Sequence, residues 1–140
     1  MKDILKSLNT KLTADDTLKT HLGYDASTHN IRNFAQLKDY NFDRYLLFGK
    51  IELAKNDGLT TSKIREGIFQ IQAIDRKDPQ KVDDILERVI AILDNTDLSE
   101  SGSFRSLRCE WENSIPTFFD NDTNFYIGTA NFNLIVVDLT

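Results

Sequence analysis

The segment from Lys63 to Asp138 constrains the fold most, because residue types mark out a strand, a capped helix and two further strands in that order. From Lys63 to Arg76, Ile64, Ile68, Phe69, Ile71 and Ile74 alternate loosely with polar neighbours, the pattern of a half-buried strand. Asp78-Pro79 then opens a helix. The Asp78 carboxylate can accept from free backbone N–H groups, and Pro79 suits the first helical position, where a donor would go unused. Val82, Ile85, Leu86, Val89, Ile90 and Leu93 recur at spacings of three and four, so they form one apolar stripe that must lie against a sheet. Lys81, Asp84, Glu87 and Arg88 make the opposite face, where Asp84 and Arg88 are placed to pair at i,i+4 for a few tenths of a kcal/mol.

The polar run Asp94 to Ser103 ends the helix and returns the chain across the domain. Phe104 to Glu112 reads as the next strand, with Leu107, Cys109 and Trp111 on one face and Arg108, Glu110 and Glu112 on the other. Asn113 to Thr123 reads as a connection. In the final strand, Asn124 to Asp138, Tyr126, Ala130, Phe132, Leu134 and Val136 share one parity, while Ile127, Ile135 and Val137 share the other. Its far end is apolar on both sides, which places this strand inside the sheet.

The first half is less regular. Asp3 to Leu12 and Ala14 to Leu22 have helical spacing and fit one bent helix or two short ones, with Thr13 as a candidate cap for the second. Gly23 to Asp43 has no dominant period and reads as an extended excursion anchored by Ile31, Phe34 and Leu37. Arg44 to Ala54 is a strand, and Asn56-Asp57-Gly58 is a turn signal before the next one. The expectation is therefore a single α+β domain spanning residues 1–140, in the order α-β-β-α-β-β. Its sheet should be mainly antiparallel and four-stranded, with the helices packed on one face.

A chain of 140 residues at 40% hydrophobic content can bury roughly two thirds of its unfolded surface in one core. No apolar run approaches the ~20 residues needed to cross a bilayer, and the N-terminus lacks the apolar core of a signal peptide. The expectation is a soluble protein made in the cytoplasm and without a membrane partner. The single cysteine, Cys109, leaves no internal disulfide and reads as a small core residue. A net charge of −5, without clustered Lys or Arg, disfavours a protein that grips nucleic acid over its whole surface. Arg105 and Arg108, three apart on a strand, should point to opposite faces and so make no basic groove.

Chemistry-bearing motifs are scarce. His21 and His29 lie in the least regular region and belong to no metal-ligand spacing. Asp120-Asn121-Asp122-Thr123-Asn124 begins like a calcium loop, but Phe125 and Asn131 stand where that loop needs Gly and Glu, so side chains bonding their own turn explain it better. Asp83 and Glu87 sit one helical turn apart, an arrangement that serves acid–base work only when buried; a solvated helix face is the plainer reading. No nucleophile elbow, P-loop or dinucleotide fingerprint occurs, and the sequon Asn121-Asp122-Thr123 has no secretion signal beside it. Trp111 and the nine Phe read as core. No catalytic residue, cofactor or metal is expected.

The element order, length, acidic balance and final block resemble the tail terminator or tail-completion proteins of long-tailed bacteriophages, the minor tail protein U type. The residues that carry the resemblance are Glu66 to Ile74, Val82 to Leu93 and Phe125 to Val136, within the last three fifths of the chain. The resemblance implies a structural, non-enzymatic protein at the head-proximal end of the virion tail. There it would form a homo-hexameric ring on the tail tube protein, halt tube polymerisation and present its other side to the head-completion or connector protein. DNA passes through such a ring without sequence-specific binding.

A closed ring needs heterologous contacts, in which two different patches of each subunit meet. Candidates for the subunit or tube interface are the hairpin tip Lys55, Asn56, Asp57, Gly58, Leu59, Thr60 and Thr61 and exposed strand edges. Asp83, Asp84 and Glu87 are candidates for an acidic lumen along which a polyanion slides. Two rivals remain: a small α+β ligand-binding or regulatory module, needing a pocket between helix and sheet, and a metal-dependent hydrolase built on Asp with His21 and His29.

Overall fold

The computed structural model describes residues 2–23, 30–33, 43–55 and 63–139. Among them are three helices, α1 (Lys2–Thr13), α2 (Asp16–Leu22) and α3 (Pro79–Leu93), and five strands, β1 (Ile31–Asn33), β2 (Arg44–Lys55), β3 (Ile64–Asp75), β4 (Phe104–Asp120) and β5 (Phe125–Asp138). They form one sheet in the order β1-β2-β3-β5-β4. The α+β class, the position of the last strand inside the sheet and the antiparallel pairing of β2, β3, β5 and β4 follow the sequence expectation. The strand count does not. A short fifth strand, β1, lies parallel to β2 with Ile31 opposite Leu46, so the sheet is mixed. Three residues are too few to show a period, which is why the excursion after α2 hid a strand. Ile31 is buried as expected, whereas Phe34, Leu37 and the Asn56-Asp57-Gly58 turn lie outside the described residues.

All three helices cover the same face. Leu46 and Phe48 of β2, Phe69, Ile71 and Ala73 of β3, and Ala130, Phe132, Leu134 and Val136 of β5 pack with Ile4, Leu8 and Leu12 of α1, Leu18 and Leu22 of α2, and the α3 stripe. The stripe is buried at Val82, Ile85, Leu86, Val89 and Leu93, with Ile90 at its margin. Phe69 and Phe132 face each other across β3 and β5 with their rings stacked 5.0 Å apart. Helix α3 lies so close to β5 that a Cβ at Gly128 would fall 2.7 Å from both Leu86 Cδ1 and Val82 Cγ1. Among the described residues the opposite face carries a small cluster at one end, Tyr45, Leu47, Ile74 and Phe125 with Ile127 against it.

The helix termini show which caps the chain uses. Asp78 caps α3, its Oδ1 accepting from Gln80 N at 2.9 Å, with Pro79 at the first position. The two N-terminal helices are separate, and the cap of α2 is Asp15, which accepts from Leu18 N at 2.7 Å. Thr13 instead donates its hydroxyl back to Asn9 O inside α1. Asp15, two residues beyond the expected cap, also holds Arg88, far along the chain, through its carboxylate. That contact replaces the expected Asp84–Arg88 pair, and Asp84 accepts from Gln80 Nε2 at 3.0 Å. Gly23 ends α2 at φ +62°, where a side chain would be strained.

Strand β4 is the largest departure. It runs to Asp120 rather than ending at Glu112, so the expected connection shrinks to the turn at 121–124. Register shifts at Ser106/Arg108, Trp111/Asn113 and Ile115/Phe118 break its period, and an edge strand tolerates Pro116 because no inner ladder needs its N–H. The first shift ejects Leu107, which is 52% exposed rather than inward with Cys109. The same shift puts Arg105 opposite Val137 and Arg108 opposite Ile135, so both arginines share the face away from the helices, contrary to the period-two expectation.

Candidate functional site

The acidic residues of α3 divide. Asp83 reaches toward the sheet edge, where its Oδ1 accepts from Thr117 Oγ1 at 2.6 Å. Asp84 and Glu87 line an open cleft of about 300 Å³ with His21, Arg88 and Ala91. Arg88, one of the lining residues, makes a bidentate contact, its Nε and Nη2 donating to Asp15 Oδ1 and Oδ2 at 3.0 and 2.6 Å. Bonding to Arg88 first, and to Leu18 N, holds the Asp15 carboxyl below its ordinary value of 3.8, while partial burial opposes the shift. The Arg88 end of the pair is more than a third exposed and screened by solvent, so its contribution to stability is modest. A carboxyl lowered by folding contributes fully above the unfolded-state value and loses that contribution as pH falls through the folded one. Asp15→Asn, which can still cap α2, is therefore expected to flatten the loss of stability below about pH 4, read by thermal melts in an acid series.

His21 contributes its backbone carbonyl to Arg44 Nη1 at 2.8 Å, a structural use. His29 lies outside the described residues, as do Asn56, Asp57, Gly58, Leu59, Thr60 and Thr61 of the expected hairpin tip; Lys55 closes β2. Among the described residues no group of His, Cys, Asp and Glu is arranged to hold a metal ion. The Asp120 turn bonds itself: Oδ1 accepts from Asp122 N and Oδ2 from Thr123 Oγ1, with Asn124 at φ +61°. Cys109 is buried, and burial first, then Asp94 and Glu110, push its thiol up to about 12. A neutral thiol there is inert. A thiol-reactive dye should label Cys109 only after unfolding, with labelling and loss of structure following the same denaturant curve.

The space between α3 and the sheet is filled by the core, so the pocket that a ligand-binding module would use there is absent among the described residues. What the domain presents instead is the outer edge of β4. Its first half is closed from within the chain. Phe104 pairs with Glu100, Ser106 N donates to Ser99 Oγ, Cys109 O accepts from Asn95 N, and Trp111 N donates to Asp94 Oδ1. Beyond Trp111, no described group takes the outward-facing backbone of residues 112–119. Apolar side chains flank this open stretch on both faces: Trp111, Ile115, Phe118 and Phe119 are 42%, 47%, 51% and 43% exposed. Tyr126 packs edge-on against Phe119 at 5.0 Å.

The fold is similar to that of a chain in a virion. That chain belongs to a structure titled "Virion of native gene transfer agent (GTA) particle", and it matches with a TM-score of 0.76, 16% identity, and coverage of 93% of this chain and 91% of that one. No family model and no curated protein matches the sequence. At that identity the likeness is one of fold, and it extends over nearly the whole of both chains.

Sequence reasoning missed the β4 edge because it ended the strand at Glu112. Ile115, Phe118 and Phe119 were themselves the available signal: three large apolar residues around one proline, which fit an edge strand as well as a loop.

Proposed function

We propose that this protein is a structural component of a virion, acting as a ring that caps the tail tube. The fold likeness to a chain of a gene transfer agent virion, at TM-score 0.76 over more than nine tenths of both chains, carries this reading. A helix-covered sheet with a filled core accords with a role performed through surfaces. In this role the ring is a homo-hexamer at the head-proximal end of the tail, assembled in the host cytoplasm. One side seats on the last ring of tube protein and stops its growth; the other meets the head-completion or connector protein. The hairpin joining β2 to β3, Lys55 to Thr61, contributes to a subunit or tube contact. Asp83, Asp84 and Glu87 give the lumen an acidic lining past which DNA slides without being held. No catalytic function is proposed.

Light scattering coupled to size-exclusion chromatography, with negative-stain imaging of the large species, tests ring formation. Six-fold rings, alone or on added tail tubes, are the expected result. A chain that stays monomeric at every concentration and neither binds tubes nor limits their length overturns the reading.

A further inference from the structure

We propose that the open half of the β4 edge, residues 112–120, takes up an extended, basic and apolar segment of another protein as an added strand. This edge is suited to such a partner whether or not the chain assembles as a ring.

The backbone specifies the kind of occupant. Phe104, Ser106, Cys109 and Trp111 all direct backbone groups away from β5, and the 94–103 connection takes Phe104 N and O, Ser106 N, Cys109 O and Trp111 N. They lie opposite Asp138, Val136, Leu134 and Phe132, alternate residues of β5. The same alternation continues to Ala130 and Tyr126, opposite Ser114 and Phe119, so these two also present their backbone N–H and C=O groups outward. Here the internal cover has ended. An extended chain satisfies such a row by hydrogen bonding, and its alternate side chains fall on the two faces of the edge. Ile115 and Phe118 await it on the face away from the helices, Trp111 and Phe119 on the helix side.

Charge selects among extended partners. From Cys109 to Asn124 the chain carries Glu110, Glu112, Asp120 and Asp122 and no Lys or Arg. Antiparallel pairing with a second copy about the centre of this stretch would set Glu112 directly opposite Asp120 of the other copy and Pro116, which has no N–H, opposite itself. Like charges facing each other across a strand pair are destabilising, so self-pairing is disfavoured. A strand with Lys or Arg at the matching ends and apolar residues between them is favoured on both counts.

The test uses a short synthetic peptide of alternating Lys and Val and its Glu-Val counterpart, titrated against the whole chain. Trp111 fluorescence gives the affinity, and amide exchange by NMR gives the location. Each properly placed charge pair is worth 0.2–1 kcal/mol, so the basic peptide should bind about tenfold more tightly than the acidic one. Binding should slow exchange at Ser114 and Phe119, and the preference should disappear in Glu112→Lys/Asp122→Lys, whose two side chains are exposed and which brings the stretch to no net charge. The proposal is overturned if the basic peptide does not bind, if both peptides bind alike, if protection falls elsewhere, or if the edge is occupied by a second copy of the chain. A Phe118→Ser variant that melts like the parent but binds as tightly would also overturn it.

Discussion

Replacing Phe132 by alanine is expected to cost about 3–5 kcal/mol of folding stability. Phe132 is fully buried at the centre of the sheet, opposite Phe69 on β3 and Trp111 on β4. Its ring lies nearly parallel to that of Phe69, with an interplanar angle of 7°. Alanine would remove the transfer energy of the ring and leave a cavity that rigid strands on both sides cannot close. Phe132→Leu should cost far less, about 1–2 kcal/mol, since it keeps most of the volume and loses mainly the aromatic pairing. Urea unfolding followed by circular dichroism measures both. Equal losses for the two variants would mean that the ring contact, not the cavity, dominates.

The second large effect is at Arg44. Asp75, 1% exposed, ends β3 and holds three elements together. Its Oδ2 accepts from Arg44 Nε at 2.6 Å, while Oδ1 accepts from Lys77 N and Asp78 N at 2.8 and 2.9 Å, fixing the turn into α3. Arg44 also reaches the last turn of α2 through His21 O. Arg44→Met keeps the aliphatic stem but strands a buried carboxylate, which should cost about 3 kcal/mol, the low end for a broken buried pair because two backbone donors remain. Adding Asp75→Ala to Arg44→Met removes the stranded charge and should cost less than the sum of the two single changes, a coupling that a double-mutant cycle in urea reads directly.

What the sequence made legible depended on how locally each feature was determined. The cap and stripe of α3 are set within a few residues, by Asp78, Pro79 and the spacing from Val82 to Leu93, and the structure has them as read. The apolar parity of β5 likewise specified its place inside the sheet, because both its faces must meet protein at one end. Features decided at a distance were misread. Arg88 has Asp84 one turn away, yet binds Asp15, since tertiary packing sets α2 against α3. Leu107, Arg105 and Arg108 were assigned to faces by strict alternation, and a single register shift reassigned them. The open β4 edge was hidden for the same reason, since it lay in a stretch read as a loop.

Strand order in space and order along the chain disagree in this sheet, and the disagreement bears on how the protein is made. β5 lies between β3 and β4 but follows both of them in sequence. During synthesis, β2, β3 and α3 emerge with the inner strand β5 missing: Ile64 must wait for Val137, and Phe69 for Phe132. Contacts of such separation close slowly, and a chain halted before Phe125 shows apolar surface that nothing else in it can cover. Interrupted translation thus yields material for chaperones and proteases rather than a smaller folded domain. Folding acts as a check on completeness, so only chains carrying β5 can offer a formed surface to any assembly they join.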